Sequence, residues 1–152
     1  MEAFLLSLHV LAGILFVGPV AVVVSLFPRF APVLDGAPQR RPGERSERVA
    51  LVLHRITRVY GVLALAVPVF GLTLAVVQSR MGEIWITIAM VLTAAAGGLL
   101  ALQIAPRQRD AIRTPDDGAQ LRRLGMLAGV FNLLWAVVVV LMIVRPGSTY
   151  GA

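Results

Sequence analysis

The 152-residue sequence predicts an all-α fold: an integral membrane four-helix bundle with both termini outside and two arginine-rich cytoplasmic loops. Three observations lead there. The chain is 58% hydrophobic and only 14% charged, far more apolar than an ordinary soluble domain. Four near-continuous apolar runs, 4–27, 56–77, 84–104 and 124–144, each approach the roughly 20 residues that cross a ~30 Å hydrocarbon core. Finally, all 14 basic residues are arginine, and they are unevenly placed. Arg29, Arg40, Arg41, Arg45, Arg48, Arg55 and Arg58 fall in the first connection and the base of the second helix. Arg107, Arg109, Arg113, Arg122 and Arg123 fall in the third, leaving only Arg80 and Arg145 for the opposite side. Basic loops are retained in the cytoplasm, so this asymmetry sets the orientation.

The helices of this single membrane domain are expected at about 4–27, 44–77, 84–105 and 115–145. The first follows Glu2 rather than a basic segment, is longer than a signal-peptide core and lacks a small-x-small cleavage site, so it is expected to be retained. Pro19 and Pro68 sit inside helices 1 and 2, where each removes a backbone hydrogen bond, freeing the carbonyls of Leu15 and Ala64 and kinking the helix. The first connection, rich in Pro and Gly, reads as irregular to about Pro42. Glu44 then stands four residues before Arg48, a favourable ion-pair spacing at the start of helix 2. Before helix 4, Thr114 reads as an N-cap, Pro115 as a first-turn residue, and Asp116 and Asp117 as partners of the positive end of the helix dipole. The stretches "LHRITRVYG" (53–61) and "LRRLGMLAG" (121–129) echo one another weakly, as duplicated hairpins would.

Membrane helices associate through small residues and interhelical hydrogen bonds. Gly61, Ala64, Pro68, Gly71 and Ala75 form such a stripe on helix 2. Helix 3 contributes Gly97 and Gly98 within "TAAAGG", and helix 4 a GxxxG pair, Gly125 and Gly129, continued by Asn132 and Ala136. Asn132, an amide at bilayer depth, is expected to join helices. Trp135 is expected to donate its indole hydrogen to a neighbour, while Trp85, Tyr150 and Tyr60 read as interfacial aromatics.

Absence of cysteine excludes disulfides, thiolate metal sites and thiol catalysis. No acidic residue falls at bilayer depth, which weighs against proton-coupled transport. His9 and His54 fall near opposite ends of antiparallel helices, too far apart to share one metal or haem iron. A lone His9 could ligate haem only with a second ligand such as Met90, Met126, Met142 or another subunit. Its commoner role is a hydrogen bond to a neighbouring helix carbonyl, with Ala12 and Gly13 clearing room beside the ring. Arg48, Arg55, Arg58, Arg122 and Arg123 are expected to meet anionic lipid or an acidic partner. The basic excess follows from topology, so no nucleic-acid partner is expected.

The stretches "LHVLAGILFVGPVAVVVSLFPRF" and "LHRITRVYGVLALAVPVFGLTLA" resemble a family of small four-helix actinobacterial membrane proteins of unassigned function, and "WITIAMVLTAAAGGLLAL" is consistent with it. More distantly, "LHVLAGILFVG" is similar to the first helix of copper-resistance D membrane proteins and HemJ-type protoporphyrinogen oxidases. His9 matches the motif histidine, Gly18 aligns approximately, and Phe16 stands where those families carry Trp. That similarity implies haem at His9. The reading that follows from the residues themselves is a non-catalytic accessory or adaptor subunit of a larger bacterial inner-membrane complex, or a homo-oligomer, with no cofactor. The alternatives are a haem- or metal-handling protein using His9 and a small transporter or lipid-binding bundle.

Overall fold

The computed structural model describes residues 1–34 and 45–148, and every described element is helical. Four helices, α1 (Glu2–Phe30), α2 (Glu47–Val77), α3 (Ile84–Arg113) and α4 (Ala119–Val144), are each long and apolar enough to cross a membrane. The Glu44–Arg48 pair, Arg40, Arg41 and Tyr150 involve residues outside the described ones.

Successive helices run antiparallel. Gly18–Phe30 of α1 packs against both Glu47–Leu63 of α2 and α4, and Ala105–Arg113 of α3 packs on the start of α2. This brings the arginine-bearing ends of all four helices together. The main core lies in that half: Val20, Val24 and Phe27 from α1, Ala50 from α2, Ala96 and Ile104 from α3, and Leu124, Ala128 and Phe131 from α4. Toward the opposite end the core thins to Ala12, Val17 and Val67, flanked by Phe16, Phe70 and Trp135. There Glu2–Ala12 packs on Ala66–Val77 and Ile84–Leu99 packs on α4, so this half is built from two helix pairs.

The prolines act through two different devices. In α2 the helix breaks at Ala64 and Leu65, between Glu47–Leu63 and Ala66–Val77. The Ala64 carbonyl that Pro68 cannot bond accepts from Val67 N–H at 3.0 Å, and Leu65 N–H bonds Val62 O at 3.1 Å, so the break is closed by tight three-residue turns. In α1 a π-helical turn, Gly13–Val17, precedes Pro19, with Gly18 N–H reaching back five residues to Gly13 O. In α3 the same device recurs: a π turn over Leu100–Ile104, Ala105 N–H bonding Leu100 O, and Pro106 directly after. In both, proline occupies the first turn of the next α-helical segment, where a missing N–H is tolerated. A π turn followed by proline is thus found in both α1 and α3.

The connection before α4 differs from expectation. Thr114 caps the end of α3, its hydroxyl donating to Asp110 O at 3.0 Å, and does not start α4. Asp116 does that work: its carboxylate accepts from Gly118 N–H at 2.8 Å and Gln120 N–H at 2.9 Å, while Asp117 accepts from Ala119 N–H at 3.1 Å. A carboxylate at the positive end of the helix dipole satisfies orphan donors better than a hydroxyl, and Gly118, at φ 94°, makes the turn that allows it. The two arginine-rich connections also touch, through Leu34 N–H to Asp116 O at 3.0 Å. Ser46, whose side chain accepts from Val49 N–H, caps the start of α2, and its own N–H bonds Phe30 O. Arg45 donates to the carbonyls of Ala31 and Pro28, holding the end of α1. At the opposite end Arg80 pairs with Glu83, Trp85 donates to Glu83, and the Arg145 guanidinium lies 6.0 Å from the Trp85 ring centroid.

Candidate functional site

His9 sits on the second turn of α1 and faces α2. Its Nδ1 is 2.9 Å from Val67 O. A carbonyl only accepts, so Nδ1 carries a proton and donates it to Val67 O, leaving Nε2 as the ring nitrogen not engaged by this bond. The space for the ring comes from across the interface. A Cβ on Gly71 would stand 2.8 Å from His9 Cε1 and 3.2 Å from Nδ1, whereas one on Gly13 would meet nothing within 4 Å. The room expected from Gly13 is therefore supplied by Gly71, because the ring turns away from its own helix. Ala12, one face over, is buried in the small core cluster.

His54 bonds a different partner at the other end of α2. Its Nδ1 lies 3.1 Å from Oε1 of Gln108, which is fully buried and whose Nε2 has no hydrogen-bond partner. Gln108 escaped the sequence reading because its neighbours, "APRQRDAIR", read as a polar loop; the helix continues through them and turns this one amide inward. Along α2, His54 is about 20 Å from Val67, the carbonyl that His9 meets, at 1.5 Å per residue. The two histidines share no site. Among the described residues no group of three or more histidine, aspartate or glutamate side chains could hold a metal ion. Met90, Met126 and Met142 belong to α3 and α4, and Met90 and Met126 are exposed. Among the described residues, those around His9 thus offer one imidazole and no second histidine, which does not fit a bis-histidine haem site.

Asn132 and Trp135 form the other polar feature at depth. Asn132 Nδ2 donates to Ser25 Oγ at 2.9 Å, and Ser25 Oγ in turn donates to Ala21 O at 2.8 Å. This relay joins α4 to α1, with Asn132 Oδ1 buried and unpartnered. Ser25 carried no signal in sequence, being one hydroxyl in a run of valines and leucines. Trp135 departs from expectation: its indole N–H is buried without a partner, and the ring instead meets Phe131 edge-on, centroids 6.4 Å apart.

The small residues divide into two groups. On α2, Gly61 lies under Leu100, whose Cδ2 would be 3.1 Å from an added Cβ, Gly71 lies under His9, and Ala64 packs with the Val67 cluster. Pro68 follows that cluster on the same helix, and Ala75 is buried. Gly97, Gly98, Gly125 and Gly129 have nothing within 4 Å of an added Cβ, so they do not bring helices of this chain together. On α4 the buried face is instead Leu121, Leu124, Ala128, Phe131 and Val138, and the GxxxG pair points outward.

Arg48, Arg55, Arg58, Arg122 and Arg123 are all exposed at the arginine-rich end. Arg55 and Arg58 line a shallow groove on α2 with Leu51, His54, Val59, Val62 and Leu63. No family model, curated protein or solved structure matches the chain.

Proposed function

We propose that this chain is a non-catalytic, multi-pass protein of the bacterial inner membrane, with both termini outside, serving as an accessory or adaptor subunit of a larger membrane complex. The carrying observation is the outward-facing GxxxG pair. Gly125 and Gly129 present bare backbone on the outside of α4, the surface that another membrane helix needs for close approach, and none of the described residues packs on it. Exposed Met126, Val130 and Leu133 flank the pair and would pack around an arriving helix. The basic end supplies the orientation, through the retention of arginine-rich loops on the cytoplasmic side.

Because the chain lacks cysteine, Gly129→Cys gives a single reactive site for cross-linking in native membranes. Adducts with a different, larger membrane protein are expected from Gly129→Cys and not from Val139→Cys, on another exposed part of α4. A product of only twice the chain's own mass would replace the adaptor by a homo-oligomer, and no product at all would refute the reading.

One observation favours a second reading, a haem- or metal-handling protein. His9 has its Nδ1–H tied to a backbone carbonyl, the arrangement that orients ligating imidazoles and leaves Nε2 to bind. The second ligand would have to come from another subunit. Protein purified in mild detergent should then show a stoichiometric Soret band that His9→Ala abolishes; a colourless preparation excludes haem at this position.

A further inference from the structure

We infer that the groove on α2 is a binding site for one anionic phospholipid, with Arg55 and Arg58 holding its phosphate and Val59, Val62 and Leu63 lying along an acyl chain. The inference rests on the membrane placement proposed above and not on the adaptor role. The lining residues Leu51, Arg55, Arg58, Val59 and Val62 recur at three- and four-residue steps, one face of a helix. From Arg55 onward their polarity changes in the order of a lipid molecule, basic at Arg55 and Arg58 and then aliphatic at Val59, Val62 and Leu63, with Leu51 on the outer side of the arginines.

Depth agrees with that order. Measured back from Val77, a ~30 Å core takes about 20 residues at 1.5 Å each and ends near Thr57. Arg55 and Arg58 bracket that boundary, the level of lipid phosphates. Two turns further out the exposed Arg48 extends the positive strip.

Uncompensated charge in this groove supports the same assignment. Neither Arg55 nor Arg58 has a carboxylate partner among the described residues. By contrast, Arg80 pairs with Glu83 and Arg45 is committed to the carbonyls of Ala31 and Pro28. Guanidinium groups at i and i+3 repel one another, and a phosphate between them turns that repulsion into two charge-assisted contacts with matching fork geometry. His54 forms the groove's wall toward α3, its ring held by Gln108 Oε1.

The test is native mass spectrometry of the full chain released from nanodiscs of equal phosphatidylglycerol and phosphatidylcholine. One retained phosphatidylglycerol is expected, with a preference of about fivefold for each arginine, so about 25-fold for the pair. Arg55→Gln with Arg58→Gln should bring the preference close to that of a neutral surface, while Arg122→Gln with Arg123→Gln should leave it standing. Equal retention of the two lipids by the unaltered protein, or an equal loss in both double variants, overturns the site in favour of a diffuse basic rim. Should the groove variant fail to fold, photoactivatable phosphatidylglycerol on the unaltered protein decides: labels on Val59, Val62 or Leu63 support the site, and labels elsewhere overturn it. Labelling of single cysteines placed in the two connections and at the termini reports membrane orientation separately, so a failed topology is told apart from a failed site.

Discussion

Replacing Gly71 by alanine probes the His9 contact directly. The new methyl would stand 2.8 Å from His9 Cε1, closer than carbon atoms approach without displacement. The ring can yield only by leaving Val67 O, now 2.9 Å from Nδ1. Hydrogen bonds between membrane helices contribute about 0.6 kcal/mol on average and up to about 1.7. If the ring is held in place instead, overpacking costs about 1–3 kcal/mol. Gly71→Ala is therefore expected to destabilise by about 1–2 kcal/mol, despite alanine being the better helix former. In a His9→Ala background the obstacle is gone, and the same change should be neutral or stabilising. Thermal or denaturant unfolding in one detergent, followed by circular dichroism for the four proteins of this cycle, measures the coupling. Agreement of the two Gly71→Ala effects within about 0.3 kcal/mol would refute the packing of His9 on Gly71. Gly125→Ala, with open space around it, is the matched control and should lie within about 0.5 kcal/mol of the parent.

Other outcomes follow from the same contacts. Asp116→Ala removes acceptors from Gly118 and Gln120 N–H and should cost about 1 kcal/mol or somewhat more in unfolding experiments, whereas Thr114→Ala should cost less. Gln108→Leu, which removes a buried amide with an unpaired Nε2, should be neutral or stabilising by up to about 1 kcal/mol, because His54 is partly exposed and can be solvated. A cost above about 2 kcal/mol would show that the His54–Gln108 bond is a structural anchor. Asn132→Leu should cost under about 1 kcal/mol, since losing the bond to Ser25 is offset by removing the unpartnered Oδ1.

The parts of this fold visible in sequence are those that hydropathy and backbone chemistry determine. Uninterrupted apolar runs mark the four helices, and Pro68 marks the break in α2 through the N–H it lacks. Orientation of the helix faces was not legible in the same way. In water a helix declares its buried side by polarity, but the long apolar run of α4 gives little such signal, so small size points to the glycine strip as the packing face whereas the structure buries the Leu124–Ala128–Phe131 strip. Bulk is the reason, as Phe131 and Leu124 fill the space between α1 and α3. Ends of helices escaped for another reason: "APRQRDAIR" is polar enough to leave a bilayer yet helical enough to continue α3. At the candidate site, His9 was identifiable as a polar group needing a partner, while Gly71 as its seat depended on an interhelical register that no local pattern encodes.

The π turns carry a consequence for how the chain can change. A π turn holds one residue more than the α-helix it interrupts, and that residue advances everything beyond it by about 100° around the axis. In α1 the turn at Gly13–Val17 lets the first segment aim His9 at α2 while the second aims Val20, Val24 and Phe27 at the common core. Each half of α1 is thereby phased independently of the other. Loss of a single residue here would leave both segments helical and apolar, and so invisible to hydropathy, while turning one of them to face the wrong neighbour. Length at this point is as much a part of the specification as residue identity, and homologous chains should vary in side chain across Gly13–Val17 more readily than in residue number.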